Sequence, residues 1–410
     1  MRIAIFVSEF PALSETFVMR QVVGLIERGH DVTVFADRPR SEPMTHADFE
    51  RHGLAARTRY LAMPSSRVLR VLLAFGHLLM VGPRRTPALL RSLNVFRHGR
   101  DAASLRLFFW AVRLLRQPRF DVLHCHFGPV GGMVVTLRNI GAVQGRLATT
   151  FHGADLTACL RDRPERYRDL VRSGDLFLPI SEYLRHRLLA LGCQPSRLAV
   201  LRMGVDLDRF VERPRSRIAT GPLSVLTVGR LVDKKGVADG LRAVAAARRR
   251  GIELRYTVIG DGPLRGRLEA LAGELGIEDS VSFLGWRLQD AIVEALYDHD
   301  VLLAPSITAP DGDQEGIPIT LMEAMATGMP VVTTRHSGIP ELVEDGVSGL
   351  LADEGDYAAL ADALKRISDS PELARSIGRA ARLRVSEIHD ADALDEQLDR
   401  RLRTLVGAAA

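Results

Sequence analysis

Short apolar runs recur along this chain, and each is followed by a polar or amphipathic stretch long enough for a helix. In the first half the runs fall at residues 3–7, 31–36, 120–126, 146–151, 176–180 and 198–201. A helix is predicted from about 15 to 28, with Gly29 at its end, and a basic helical region lies between 38 and 119. A second series begins after Gly204-Val205-Asp206, with runs at 223–228, 253–259, 281–284, 301–304, 331–334 and 349–351. The tail from 371 to 405 reads as amphipathic helix. Strands alternating with helices predict parallel sheets covered on both faces. The fold class expected is therefore α/β, with two doubly wound domains joined near 205–222. Ligands of such sheets bind beyond the carboxyl ends of the strands.

The 410 residues suffice for two or three domains. With 46% hydrophobic and 26% charged residues, the composition is that of a globular protein. Three cysteines (Cys125, Cys159, Cys193) argue for a reducing compartment rather than a disulfide framework. The first apolar run is too short for a signal peptide, and no apolar stretch reaches the ~18 residues of a membrane span.

Charge is uneven. The chain carries +5, but residues 38–119 hold sixteen arginines and four acids, a net of +12, beside leucine-rich helical stretches. Two readings stand: docking on an anionic membrane surface, or a solvated arginine face over an ordinary core helix. No nucleic-acid module is recognisable, and nucleic acid is not expected as a partner.

The densest chemistry lies in Glu315-Gly316-Ile317-Pro318-Ile319-Thr320-Leu-Met-Glu323. Pro318 suits a helix start and Gly328 a helix stop. Glu315 then precedes the helix and Glu323 lies more than one turn inside it. The N–H groups at the helix start form an anion site, with one carboxylate on each side for the hydroxyls of a sugar and a ribose. The bland alternative is a capped amphipathic helix with two solvated acids. After the run 223–228 comes Gly229-Arg230…Lys235-Gly236. The chain has 52 Arg and three Lys, and two of those Lys are adjacent here. Arg230 and Lys235 together can neutralise a diphosphate leaving group without a metal. Gly260-Asp261-Gly262-Pro263 reads as a tight turn lining the cleft rather than a dinucleotide fingerprint. Asp311-Gly312-Asp313 is read as a solvated loop, not a metal site. His124-Cys125-His126 places both histidines on one strand face, one of them lining the cleft, with no further metal-ligand pair. Ser181 is read as a helix N-cap in reach of an acceptor.

In order, Gly229-Arg230…Lys235-Gly236, Ile259-Gly260-Asp261-Gly262-Pro263, Phe283-Leu-Gly285 and Glu315-Gly-Ile-Pro…Glu323 resemble retaining glycosyltransferases of family 4. Phe151-His152-Gly153 and Gly204-Val205-Asp206 fit the same pattern. Phe10-Pro11…Ser14-Glu15-Thr16-Phe17 and His336-Ser-Gly338-Ile-Pro340-Glu341 are similar to the subgroup that builds exopolysaccharides of the colanic-acid and amylovoran kind.

The resemblance implies a GT-B fold: an acceptor-binding domain over 1–205, a nucleotide-sugar domain over 206–385, and a helix over 386–410 crossing back. It implies that Arg230 and Lys235 bind the diphosphate, that amides of Gly316–Thr320 hold the distal phosphate, and that Glu323 binds the ribose. Glu315 contacts the donor sugar, and Gly285, Trp286 and Arg287 lie against the nucleobase. His152 lies near the sugar C6 side or the reacting centre. Gly229 and Gly260 line the donor site. Ser14 and Glu15 fall on the acceptor side, because the first loop lacks the glycine pair that many members use; His126, as the cleft-lining histidine, and Ser181 are placed on the same side. The donor implied is a UDP or GDP sugar, with no cofactor or metal. The acceptor implied is a saccharide on a polyprenyl diphosphate, at the cytoplasmic face of the membrane. The alternatives are a non-catalytic glycan-binding protein, an epimerase or a phosphorylase.

Overall fold

The computed structural model describes residues 1–12, 15–39, 47–161, 164–213 and 221–407. Two six-stranded sheets carry the fold, and every strand pair in them is parallel. The first holds β1 (Arg2–Glu9), β2 (Asp31–Arg38), β3 (Thr58–Tyr60), β4 (Val122–His126), β5 (Arg146–Phe151) and β6 (Leu176–Pro179), in the order β3-β2-β1-β4-β5-β6. The second holds β7 (Leu223–Val228), β8 (Leu254–Ile259), β9 (Val281–Phe283), β10 (Val301–Ala304), β11 (Val331–Thr334) and β12 (Leu350–Ala352), in the order β12-β11-β10-β7-β8-β9. Read from β9, the second order repeats the first. Both sheets reverse direction beside their first strand, which opens a crevice at its carboxyl end. The two crevices face each other, giving the expected GT-B arrangement of an N lobe and a C lobe.

The apolar runs became strands because both faces of a parallel sheet are covered. Ile3, Ile5, Val7, Val225, Leu303 and Val332 are fully buried. In the N lobe, Phe6 stacks on Phe35 at 5.1 Å, and Trp110 is buried in the same core cluster. Two expectations need correction. Residues 198–201 run beside β6, with Ala199 N–H donating to Phe177 and Leu201 N–H to Pro179, yet they form only an isolated bridge. The short β3 emerges inside the region read as wholly helical.

The tail is two helices, Pro371–Ile388 and Ala391–Gly407, broken at His389-Asp390. At the break, Val205 N–H donates to His389 O (2.8 Å) and Ala391 N–H to Val205 O (3.2 Å), so both passages between the lobes run side by side. The last helix lies on the N lobe. Leu398 and Leu402 pack with Ile3 and Val22, and Arg20 is ion-paired with Asp392 and Asp395. No described helix is long and apolar enough to cross a membrane.

Candidate active site

The cleft between the lobes, about 300 Å³, is built from loops at strand ends. β7 ends in Gly229-Arg230, and a short turn over Asp233–Lys235 follows before the helix Val237–Arg249. β10 leads through a loop to the helix Ile319–Ala326, whose cap is Pro318 (ψ 127°). Proline at this position sacrifices no N–H, and the N–H groups of Ile319 and Thr320 have no carbonyl one turn back within the helix. Gly328, at φ 72°, ends the helix as expected. Arg230, Lys235, Glu315, residues 316–320 and Glu323 all line this one cleft, together with Gly229, Gly260, Trp286, Arg287, His152 and Glu15. Gly285 sits behind them, its carbonyl accepting from Gly260 N–H (2.9 Å).

Glu315 is held between two cations. Lys235 Nζ donates to its Oε2 at 3.0 Å, and Lys234 Nζ lies 3.6 Å from Oε1. Burial pushes this carboxyl up, but the two ammonium groups outweigh it and the net direction is down. The loop carrying Glu315 is also pinned from behind. Glu315 N–H donates to His336 Nε2 (3.0 Å), which leaves the proton on Nδ1 to reach Glu354 Oε1 (2.5 Å). Glu354 in turn accepts from Thr308 N–H (2.7 Å). The fully buried His336 thus ties the ends of β11 and β12 to the loop after β10.

Glu323 is different. It is buried, and Gln289 Nε2 donates to its Oε1 at 2.7 Å. Burial raises its pKa to about 7, with the Gln289 hydrogen bond and Arg209 partly opposing. Lys234, Gln289, His336 and Glu354 have no place among the sequence-predicted site residues. Two of them carry a sequence signal: Lys234 through its adjacency to Lys235, and His336 as the first residue of the stretch His336-Ser-Gly338-Ile-Pro340-Glu341.

The N lobe contributes His152. Its loop is folded around buried Asp155, whose Oδ1 accepts from His152 N–H (3.0 Å) and Gly153 N–H (2.8 Å), while Oδ2 accepts from Gly128 N–H (3.0 Å). Phe17 covers the His152 ring at 4.5 Å between centroids, and His126 Nδ1 lies 3.2 Å from His152 Nε2. Burial drives the pKa of His152 down to about 3, so its imidazole stays neutral at physiological pH. His152 Nδ1 is buried without a partner among the described residues. The lobes touch here: a Cβ on Gly316 would lie 2.3 Å from His152 O, and one on Gly153 2.8 Å from Gly316 N. Two glycines therefore bring Glu315 and His152 into one pocket.

Three sequence expectations change. His126 is fully buried behind His152 and does not line the cleft, so it is not an acceptor contact. Ser181 is a buried cap, its Oγ accepting from Leu184 N–H (3.2 Å), and it faces Gly338 rather than the cleft. Asp313 is not solvated: it is half-buried and ion-paired to Lys234 at 3.0 Å. Ser14 lies outside the described residues. A different carboxylate bridges the lobes: Glu341 of the C lobe accepts from Glu182 N–H (2.9 Å) and Tyr183 N–H (2.8 Å), in the first turn of the N-lobe helix Glu182–Ala190.

Two facing Rossmann-like lobes, with cations and a helix start sharing the cleft, define a glycosyltransferase of the GT-B class. The model of Glycosyltransferase Family 4 matches residues 14–209, and that of Glycosyl transferases group 1 matches residues 208–384. WcaL of Salmonella typhimurium, named for colanic acid biosynthesis, is 40% identical over 99% of this chain and 100% of its own length. AmsK of Erwinia amylovora, an amylovoran biosynthesis glycosyltransferase, is 38% identical over 94% of this chain and 95% of its own. Among solved structures, Anabaena Alr3699/HepE in complex with UDP and glucose superposes with a TM-score of 0.72 over 98% of this chain and 100% of its own, at 19% identity. The chain belongs to the family 4 glycosyltransferases.

Proposed function

We propose that this glycosyltransferase moves a sugar from a nucleoside diphosphate donor to a saccharide acceptor with retention of anomeric configuration, in the assembly of an exopolysaccharide. The observation that carries the reading is the convergence of Arg230, Lys235 and the start of the helix Ile319–Ala326 on one cleft. Negative charge grows on the leaving diphosphate in the transition state, and these groups stabilise it without a metal. Glu323 accepts the ribose hydroxyls. Glu315, released from Lys235 as the phosphate takes the ammonium, orients the donor sugar and stabilises positive charge on its ring. Neutral His152 offers Nδ1 to a sugar hydroxyl. The leaving phosphate oxygen takes the acceptor proton on the same face. Support for a UDP sugar comes from the HepE complex, and for an exopolysaccharide from WcaL and AmsK. The acceptor is a polyprenyl-diphosphate-linked saccharide at the cytoplasmic membrane face, to which the basic segment 38–119 is drawn.

The test is a panel of UDP, GDP, TDP and ADP sugars read by thermal shift and by donor hydrolysis. One donor class should bind and turn over, and Lys235→Ala or Glu315→Ala should remove turnover by at least about 10²-fold while the fold is kept. Near-wild-type rates in either variant reject the assignment of these residues. Release of an epimerised nucleotide sugar, or dependence on inorganic phosphate, would instead identify an epimerase or a phosphorylase.

A further inference from the structure

The helix Arg67–Met80 is inverted relative to a surface helix of a globular protein. Such a helix buries its apolar stripe and turns polar residues outward. Here Ala74 is the one buried residue. It seats the helix together with His77, whose ring meets Phe109 edge-on at 6.3 Å, and with Leu78, which packs against the core. Outward stand Leu72 (64% exposed), Phe75 (64%), Leu79 (72%) and Met80 (87%), with Val68 and Val71 beside them. Positions 68, 72, 75 and 79 follow helical spacing, so they form one continuous ridge. Val95 and Phe96, on the helix Val95–Ala103, are also exposed. Apolar surface of this extent marks an interaction site.

We propose that this ridge is a membrane anchor that lies in the plane of an anionic bilayer, with its apolar side chains among the lipid chains. Fourteen residues rise ~21 Å, short of a span, so the helix lies flat. Charge fits that occupant: exposed Arg67, Arg84, Arg85, Arg97 and Arg100 border the apolar residues, where lipid phosphates would meet them. The rest of the lobe supports the orientation. Arg97 and His98, next to Phe96, line a cavity of about 550 Å³ whose other wall includes Ser8 and Pro129. Phe127, two residues before Pro129, lines the catalytic cleft. The polar cavity therefore adjoins the exposed Phe96 on one side and the segment that enters the cleft on the other, a route that suits a lipid-linked acceptor. This deepens the acceptor part of the proposed function and rests on it only for the identity of what the lipid carries.

The experiment is sedimentation of the full chain with vesicles of phosphatidylcholine and phosphatidylglycerol, at about 0.1 M and about 1 M salt, where the screening length falls from ~10 Å to ~3 Å. Binding is expected at both, weaker at high salt. The triple variant Leu72→Ser, Phe75→Ser, Leu79→Ser should lower partitioning at least about ten-fold at both salts, whereas Arg84→Gln with Arg85→Gln should act mainly at low salt. Absence of vesicle binding by the unmodified chain, or binding indifferent to the three serines, overturns the anchor. So does a dimer in light scattering that the serines dissociate, because a second copy would then cover the ridge. Donor hydrolysis is measured on the same samples. Its loss in the unmodified chain refutes the transferase reading and leaves the anchor standing.

Discussion

Glu315 and Glu323 sit four positions on either side of Ile319 and face opposite electrostatic conditions. Glu315 is held as a carboxylate by Lys235 and Lys234, whereas Glu323 has Gln289 in contact and titrates near 7. If Glu323 accepts from ribose hydroxyls, it must be ionised to do so fully. Nucleotide affinity should therefore rise between about pH 6 and pH 8, and calorimetry should show proton release on binding below pH 7. Glu323→Gln should abolish that dependence, and a pH-independent affinity in the parent protein would refute the role. The unliganded protein should show the opposite slope in stability. The folded pKa lies above the ordinary 4.5, so from about pH 4.5 to about 7 the folded state keeps a proton that the unfolded state has lost, and this group's contribution falls as pH rises. Denaturation midpoints of the parent and Glu323→Gln across that window measure the difference, at most ~1.4 kcal/mol per pH unit.

At the level of elements, the site depends on loops held by distant partners. His336, at the end of β11, links Glu354 beyond β12 to the N–H of Glu315 before the helix Ile319–Ala326. His336→Ala should lower kcat about ten-fold or more with a smaller change in donor KM. His336→Gln, which can place a carbonyl near the Nε2 position, should recover part of it. Equal loss in both variants, accompanied by a lower Tm, would reduce His336 to a packing residue. Much of this was unreadable beforehand. The strands at 146–151, 223–228, 301–304 and 331–334 were legible to the residue because an apolar run between turn signals fits little else. Residues 198–201 have the same apolar character, but their hydrogen bonds to β6 amount to one isolated bridge rather than a strand. The alternation His124-Cys125-His126 told which face of β4 each side chain takes but not how deep it lies, so His126 was placed in the cleft when it sits behind His152. Asp155, His336 and Glu354 each act through a hydrogen bond to a residue distant in sequence, and local pattern does not encode such pairs. The Glu315…Glu323 and Gly229-Arg230…Lys235 clusters were legible because turn glycine, helix-start proline and charge coincide.

On the scale of the molecule, the last helix returns to the lobe where the chain began. Leu402 is fully buried among N-lobe residues, so Leu402→Ala should destabilise by about 2–5 kcal/mol, seen as a lower denaturant midpoint. A change within about 0.5 kcal/mol would mean that the helix does not hold the lobe together. The sequence contains two tryptophans, and the fold separates them: Trp110 is sealed in the N-lobe core, and Trp286 stands half-exposed in the C-lobe wall of the cleft. Each lobe thus carries its own intrinsic fluorophore. If a nucleotide enters the cleft as proposed, emission from Trp286 should shift on its arrival, while that from Trp110 should follow melting of the other half, and Trp→Phe exchanges would resolve the two events without an added dye.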